Sequence, residues 1–376
     1  MRRSKANNPN TRSPMDIVTL LGGVEITITK GVHSGTPLLW ALVAMLQGKE
    51  GGVELAKLLV ENGTDVNAVM KAHGTCPETL ESISIPGVPF DGVQEVTPLL
   101  LALVAVSEGT EGSVELAQLL LKTGADANPV MKGEGVELTP LGMALMMIFA
   151  GDGGSMELVK LLVENGADVS AIIKVEGVEI TILGMASGAV CEGREGGVEL
   201  MKLLVANGAD VNAVMKVEGV DLTPLGMALE AVFDGKEGGV KLAKLLVENG
   251  ADVNAVNAGM KVEGVILTPL GMALGVVSDG KEGGVKLARL LVESGADVNA
   301  VTVFAYTDET KDDGTEGTPL MWAAKAMRDN RADDVKDLVR FLSSNRANLA
   351  DGEKDEWQGI IDGVMGVSAN RNKSRV

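Results

Sequence analysis

The chain has 376 residues, of which 45% are hydrophobic and 23% are charged, so it has the composition of a protein that folds around a core. Asp and Glu outnumber Lys and Arg by 52 to 33, and aromatic residues make up only 2%. This balance argues against a nucleic-acid partner, which attracts basic surfaces and stacks on aromatic rings. No apolar run approaches the roughly 20 residues that a membrane span needs, and the basic N-terminus has no apolar signal core. We expect an intracellular, cytoplasmic protein, with the nucleus as a second option.

A repeated unit organises most of the chain. A Thr-Pro-Leu step, with Ile in place of Pro in one copy, begins at Thr36, Thr97, Thr139, Thr181, Thr223, Thr268 and Thr318, and these threonines are 61, 42, 42, 42, 45 and 50 residues apart. The glycine of a Gly-Ala-Asp step follows 27 residues after its threonine in six copies, and Asn345 has that offset in the seventh. Because each unit has constant length and only the connections vary, the pattern predicts a stacked repeat array.

The copy at 223–254 shows the content of a unit. Thr223 is the expected N-cap of a first helix that begins with Pro. The segment 234–239, DGKEGG, is predicted to be a loop, and a second helix is expected from Val240 to a left-handed glycine, Gly250. Each helix has only about ten residues, so neither should be stable without packing against its neighbours.

The segment between units is predicted to form a β-hairpin. Its two-residue turn is Glu218-Gly219, and pairing outward from that turn places Met215 opposite Leu222. The same register predicts three cross-strand ion pairs, which are Lys132 with Glu137, Lys174 with Glu179, and Lys216 with Asp221. Such exposed pairs contribute about 0–1 kcal/mol each.

Two antiparallel helices followed by a hairpin, with TPLGMA (223–228) at the entry and VKLAKLLVENGADVNA (240–255) at the exit, resemble the ankyrin repeat. The resemblance covers about residues 14–349 and implies a mainly all-α repeat solenoid of stacked helix-turn-helix units with projecting β-hairpins. The unit of 42 residues is longer than the familiar 33, and the histidine that usually follows Thr-Pro-Leu is replaced, for example by Gly142 and Gly184. These departures leave the stacking geometry open, and a HEAT-like array of similar period is the alternative.

The ends of the chain differ from its middle. We expect a disordered basic tail at 1–13 and a degenerate N-terminal cap at 14–35, followed by about seven repeats from residue 36. The last repeat, 318–350, is predicted to be a C-terminal cap, and 351–376 a short helix with a basic tail. Extra residues around 71–95 and 302–317 are either functional insertions or tolerated surface variation.

The sequence offers few residues for catalysis or metal binding. Cys76 and Cys191 are expected to be free thiols, and His73 with Cys76 supplies two zinc ligands at most. We therefore predict that the chain is not an enzyme and has no catalytic residue, no cofactor and no metal site.

The resemblance implies a protein–protein interaction scaffold or adaptor. The net charge of −19 favours a protein partner with a neutral or basic patch, bound through the hairpin tips and the concave helix face. The candidate partner-binding residues are four at hairpin tips and four in loops: Glu134, Glu176, Glu218, Glu263, Asp152, Glu192, Asp234 and Asp279. The alternatives are a passive spacer or self-associating repeat protein and, third, a regulatory subunit attached to an enzyme. The sequence leaves the partner, the pathway and the oligomeric state open.

Overall fold

The computed structural model describes residues 36–71, 95–133, 135–150, 156–217, 220–255, 267–304, 315–330 and 333–366, which contain 15 α-helices and ten short strands. The predictions for the tail at 1–13, for the cap at 14–35 and for the insertion at 72–94 lie outside these residues. The chain divides into two compact units, 1–182 and 183–376.

The first unit contains three helix pairs with their hairpins, in a mainly α-helical architecture as the sequence predicts. Its elements are α1 Pro37–Leu46, α2 Gly52–Glu61, β1 Met70–Lys71, β2 Glu95–Val96, α3 Pro98–Ser107, α4 Ser113–Lys122, β3 Met131–Gly133, β4 Val136–Leu138, α5 Pro140–Ala150, α6 Met156–Glu164, β5 Ile172–Val175 and β6 Val178–Thr181.

The second unit repeats the pattern four times and ends with an additional helix. Its elements are α7 Ile182–Cys191, α8 Gly197–Ala206, β7 Met215–Val217, β8 Val220–Leu222, α9 Pro224–Phe233, α10 Gly238–Glu248, α11 Pro269–Ser278, α12 Gly284–Glu293, β9 Thr302–Phe304, β10 Thr315–Gly317, α13 Pro319–Asn330, α14 Asp333–Ser344 and α15 Lys354–Met365.

The first helix of each copy begins as predicted. The hydroxyl of Thr223 accepts the N–H of Gly226 at 3.0 Å, and Thr268 accepts that of Gly271 at the same distance. These helices are extensively buried. In α3, for example, the residues from Pro98 to Val106 are all buried. A helix that is apolar on all sides must be enclosed, so α3 lies within the core.

The second helices begin earlier than predicted. The sequence assigns 234–239 to a loop, whereas α10 starts at Gly238. A Cβ on Gly239 would lie 2.7 Å from the carbonyl oxygen of Ala228 and from the nitrogen of Val232, both in α9. This glycine therefore allows two helices to approach closely, and the prediction that it ends the loop is wrong.

The second helices end at a left-handed residue. Gly250 has a φ of 90°, as predicted. In the seventh copy the left-handed residue is Arg346, with a φ of 67°, and not Asn345. The Asn345 amide donates to the carbonyl of Phe341 at 2.8 Å, as Asn249 does to Leu245 at 2.7 Å. Asn345 thus corresponds to the residue before the glycine, because the seventh unit is one residue longer than the equal offset suggests.

The hairpins have the predicted register. Lys132 lies opposite Glu137, Lys174 opposite Glu179, Lys216 opposite Asp221, and Met215 opposite Leu222. Of the three predicted ion pairs, the first two are found, whereas the described residues show none between Lys216 and Asp221. The sequence did not predict that β4 also pairs antiparallel with β5 of the next hairpin. The N–H of Glu176 extends this pairing by donating to the carbonyl of Gly135 at 3.0 Å. Strands β3 to β6 therefore form a continuous antiparallel sheet within the first unit.

Helix α15 closes the end of the second unit. It buries Trp357 and Val364 and packs against α13 and α14. The Glu353 carboxylate accepts the N–H and the hydroxyl of Thr318 at 2.8 and 2.7 Å. The short helix expected after residue 350 is thus docked on the last copy.

Candidate interaction surface

In five described copies an asparagine side chain fixes the loop after the second helix to the corresponding loop of the next copy, whereas in the third copy a serine, Ser170, stands at this position. Nδ2 of Asn128 donates to the carbonyl of Gly166 at 2.9 Å, and its Oδ1 accepts the N–H of Asp168 at 2.7 Å. The same pair of bonds is made by Asn67, Asn212, Asn254 and Asn299. Each hydrogen bond stabilises by about 0.5–1.5 kcal/mol. The loops that follow the second helices, next to the hairpins, are therefore held in position in the free protein.

Hairpin side chains fill the space left by the missing histidines. A Cβ on Gly142 would lie 2.7 Å from Cδ1 of Ile173, and one on Gly184 would overlap the sulfur of Met215. In a later copy the hydroxyl of Thr268 lies 3.0 Å from that of Thr302. Side chains of the first hairpin strand thus pack against the first helix at the position where the family usually has a histidine.

The predicted loop acids of the second unit are exposed but partly engaged. Glu192 accepts Nζ of Lys236 at 2.8 Å, and this hydrogen bond, with the lysine charge, lowers the pKa of Glu192. Asp279 lies 3.6 Å from Nζ of Lys281. Lys281 in turn donates to the carbonyl of Phe233 at 2.8 Å and lies 3.7 Å from its ring centroid. The loop lysines therefore hold neighbouring loops together.

Another acidic row was missed by the sequence reasoning. One exposed glutamate lies 14 residues after the threonine in five described copies, just before the second helix, and within the described residues no ion pair engages any of the five. These residues are Glu50, Glu111, Glu195, Glu237 and Glu282, which we call the loop glutamates. The sequence signal is a Glu-Gly step just before the second helix, which is part of Lys-Glu-Gly-Gly in three of the five copies.

Of the remaining predicted partner-binding residues, two are exposed in the structure and four lie outside the described residues. Asp234 is exposed at the end of α9, and Glu176 is exposed in a two-residue hairpin turn with a φ of 49°, next to Gly177 at 85°. Four others lie outside the described residues: Glu134, Asp152, Glu218 and Glu263. No finding tests whether any candidate contacts a partner.

Three findings on the described residues concern a possible nucleophile, metal ligands and membrane spans. Burial raises the pKa of the Cys191 thiol to about 11, although the charge of Lys236 acts in the opposite direction. Among the described residues there is no group of three or more His, Cys, Asp or Glu side chains placed to hold a metal. The same residues include no helix with the length and hydropathy to span a bilayer.

Comparisons with known proteins point to one family. Residues 221–258 match the model of the ankyrin repeat. The matched segment contains the helix pair α9 and α10 and the loop with Asn254. The helix pair recurs in the other copies, and the hydrogen bonds of Asn254 recur in four of them. A search of curated proteins found no match.

Three solved structures resemble the chain with 18% identity each. An ankyrin repeat protein has a TM-score of 0.38 over 67% of this chain and 96% of its own. The Legionella pneumophila effector AnkC has a TM-score of 0.38 over 70% and 73%. A Bdellovibrio bacteriovorus predatory endopeptidase in complex with an immunity protein gives 0.32 over 63% and 96%. At these TM-scores the superpositions carry no argument about function.

Proposed function

This chain is an ankyrin-repeat protein, and from that premise we propose that it is a non-enzymatic scaffold or adaptor that binds a protein with a neutral or basic patch. Ankyrin repeats generally mediate protein–protein interaction. The proposed contact surface is made of the loop glutamates, the hairpin tips and the adjoining helix surface.

The observation that carries the proposal is the repetition of one exposed acid at the same loop position in both units. A glutamate just before a helix also stabilises that helix through its dipole. In the second unit, Lys236 binds Glu192 and Lys281 binds Phe233, so contacts join the loops that carry the loop glutamates. Because these contacts order the loops in the free protein, binding would cost less conformational entropy.

The charge of the loops between the two helices of a copy supports a basic patch on the partner. Loops 192–195, 234–237 and 279–282 each carry two acids and one base. The bases Lys236 and Lys281 are engaged with the preceding loop, so the charge presented outward is negative. A basic patch would be attracted to this surface, and raising the salt concentration to about 0.5 M would weaken that attraction by shortening the Debye length.

Cys191 supports the non-enzymatic part of the proposal. A nucleophilic cysteine acts as a thiolate, whereas this thiol is buried and has a raised pKa. A buried, reduced cysteine also fits the intracellular setting that we propose, in the cytoplasm or the nucleus.

Charge reversal on the loops tests this function. The variant carries four substitutions, Glu111→Lys, Glu195→Lys, Glu237→Lys and Glu282→Lys. We expect it to retain less than about a tenth of the proteins that the wild type captures from lysate of the source cell at low salt, because like charges now face the basic patch. Quantitative mass spectrometry of the captured proteins at low and high salt measures the effect.

A matched variant separates surface chemistry from net charge. It reverses four exposed glutamates at the ends of second helices: Glu61→Lys, Glu164→Lys, Glu248→Lys and Glu293→Lys. Its total charge equals that of the loop variant, and we expect its capture to match the wild type. Equal capture by all three proteins would contradict the assignment of the surface.

A further inference from the structure

An alternating row of charges crosses the sheet of the first unit. Nζ of Lys132 lies 4.0 Å from Glu137, Nζ of Lys174 lies 3.2 Å from Glu137 and 3.9 Å from Glu179. Each strand from β3 to β6 supplies one member, so the order is Lys, Glu, Lys, Glu. We call these four residues the charge ladder. Its net charge is zero, in a chain whose net charge is −19.

The same face of the sheet exposes aliphatic side chains. Val130 and Ile172 are 44% and 48% exposed, and each lies two residues before a ladder lysine. Side chains two residues apart on a strand share a face. The residues between them, Met131 and Ile173, are buried on the opposite face. The same position in other copies is also exposed and aliphatic, at Val69, Val214 and Val301.

This face is complementary to itself. Consider a two-fold axis that lies parallel to the strands, midway between β4 and β5, and relates two copies face to face. The axis places Lys132 opposite Glu179 of the second copy and Glu137 opposite Lys174 of the second copy, and the reverse pairs follow by symmetry. All four ladder positions then meet an opposite charge.

The aliphatic residues are complementary under the same axis. Val130 and Ile172 lie two strands apart, about 10 Å at the usual strand spacing. The two-fold axis places Ile172 of the second copy over β4, between Val130 and Ile172 of the first copy, and Val130 of the second copy over β6. The four side chains would therefore alternate along one row between the two sheets, where they are removed from water.

We propose that this face, formed by the charge ladder with Val130 and Ile172, is an interface between two copies of this chain. The proposal goes beyond the scaffold function, because it uses none of the loop glutamates. Four short strands make an interface smaller than the roughly 800 Å² per partner of a stable complex. The dimer should therefore be weak and depend on protein concentration.

Complementary charge reversals test the axis. Glu137→Lys places a lysine opposite Lys174 of the second copy, twice per dimer, and Lys174→Glu does the same with two glutamates. We expect each variant alone to dimerise at least about tenfold more weakly than the wild type. An equimolar mixture should recover the wild-type dimer, because every ladder position in the mixed pair again meets an opposite charge. Sedimentation equilibrium of the full chain, from about 1 to about 300 µM, spans this weak range.

Two further variants keep the test independent of folding. Ile172→Glu should abolish the dimer, because it places charge in the aliphatic row, while its exposed position should leave the circular dichroism melt unchanged. Glu164→Lys makes the same charge change as Glu137→Lys outside this face and should leave the dimer unchanged. A wild type that is monomeric over the whole range, or a mixture that does not recover, would overturn the proposal and leave the face to a different protein.

Discussion

The two helices of each copy have similar length but opposite environments. In α3 every residue from Pro98 to Val106 is buried. Its partner α4 buries one side, including Leu116 and Leu120, and exposes the other. Neither helix would be stable alone, so both depend on packing against other helices. The difference in burial shows that the first helix lies inside the stack and the second helix lies at its surface. The first helix is enclosed, the second helix contributes one side to the core, and the loops and hairpins at the helix ends supply the surfaces that can bind.

The largest expected effect comes from truncating the first helix. Leu103 is fully buried in α3, so Leu103→Ala should lower the free energy of unfolding by about 2–5 kcal/mol. Leu58 lies on the second helix α2 and is 56% exposed, so Leu58→Ala should change it by less than about 0.5 kcal/mol. Urea unfolding of both variants gives the comparison. Similar losses would mean that an exposed leucine of the second helix stabilises the protein as much as a buried leucine of the first.

A smaller effect is expected where the two helices meet. Gly239→Ala adds a Cβ against the backbone of α9 and should destabilise the protein by about 1–3 kcal/mol. Gly359→Ala is the matched control, because this exposed glycine of α15 has no atom within 4 Å of its added Cβ. The control should gain up to about 1 kcal/mol from higher helix propensity. Thermal melts rank the two variants, and a tolerated Gly239→Ala would show that α9 and α10 can separate without cost.

Features local to one copy could be predicted from the sequence. The Thr-Pro cap, the left-handed Gly250 and the hairpin register depend on a few adjacent residues, and all three are found. Where two physical roles require the same residue, sequence cannot decide between them. Gly239 was assigned to a loop because glycine interrupts helices, whereas in the structure it permits close packing.

Features that join neighbouring copies could not be predicted from one copy. Nothing in a single hairpin indicates that β4 pairs with β5, although that pairing creates the charge ladder. The candidate loop acids show the same limit. Glu192 and Lys236 are 44 residues apart, so their ion pair could not be predicted from the sequence of one copy. For the same reason the sequence did not indicate that Glu195, and not Glu192, is the exposed glutamate without an ion pair in the described chain.

The smallest effect concerns the exposed contact between loops that involves Glu192. Because its folded pKa is lowered by Lys236, the carboxylate stabilises the folded state above its unfolded value of about 4.5, and that contribution is lost as the pH falls through the folded pKa. The melting temperature of Glu192→Gln should therefore lie below that of the wild type at pH 7, and the difference should disappear as the pH falls through the folded pKa of Glu192. Salt should reduce the difference, since both groups are exposed. Glu293→Gln removes an exposed acid for which no ion pair is found in the described chain, and it should show no such convergence. A pH-independent deficit for Glu192→Gln would mean that the side chain acts by packing and not through the charge of Lys236.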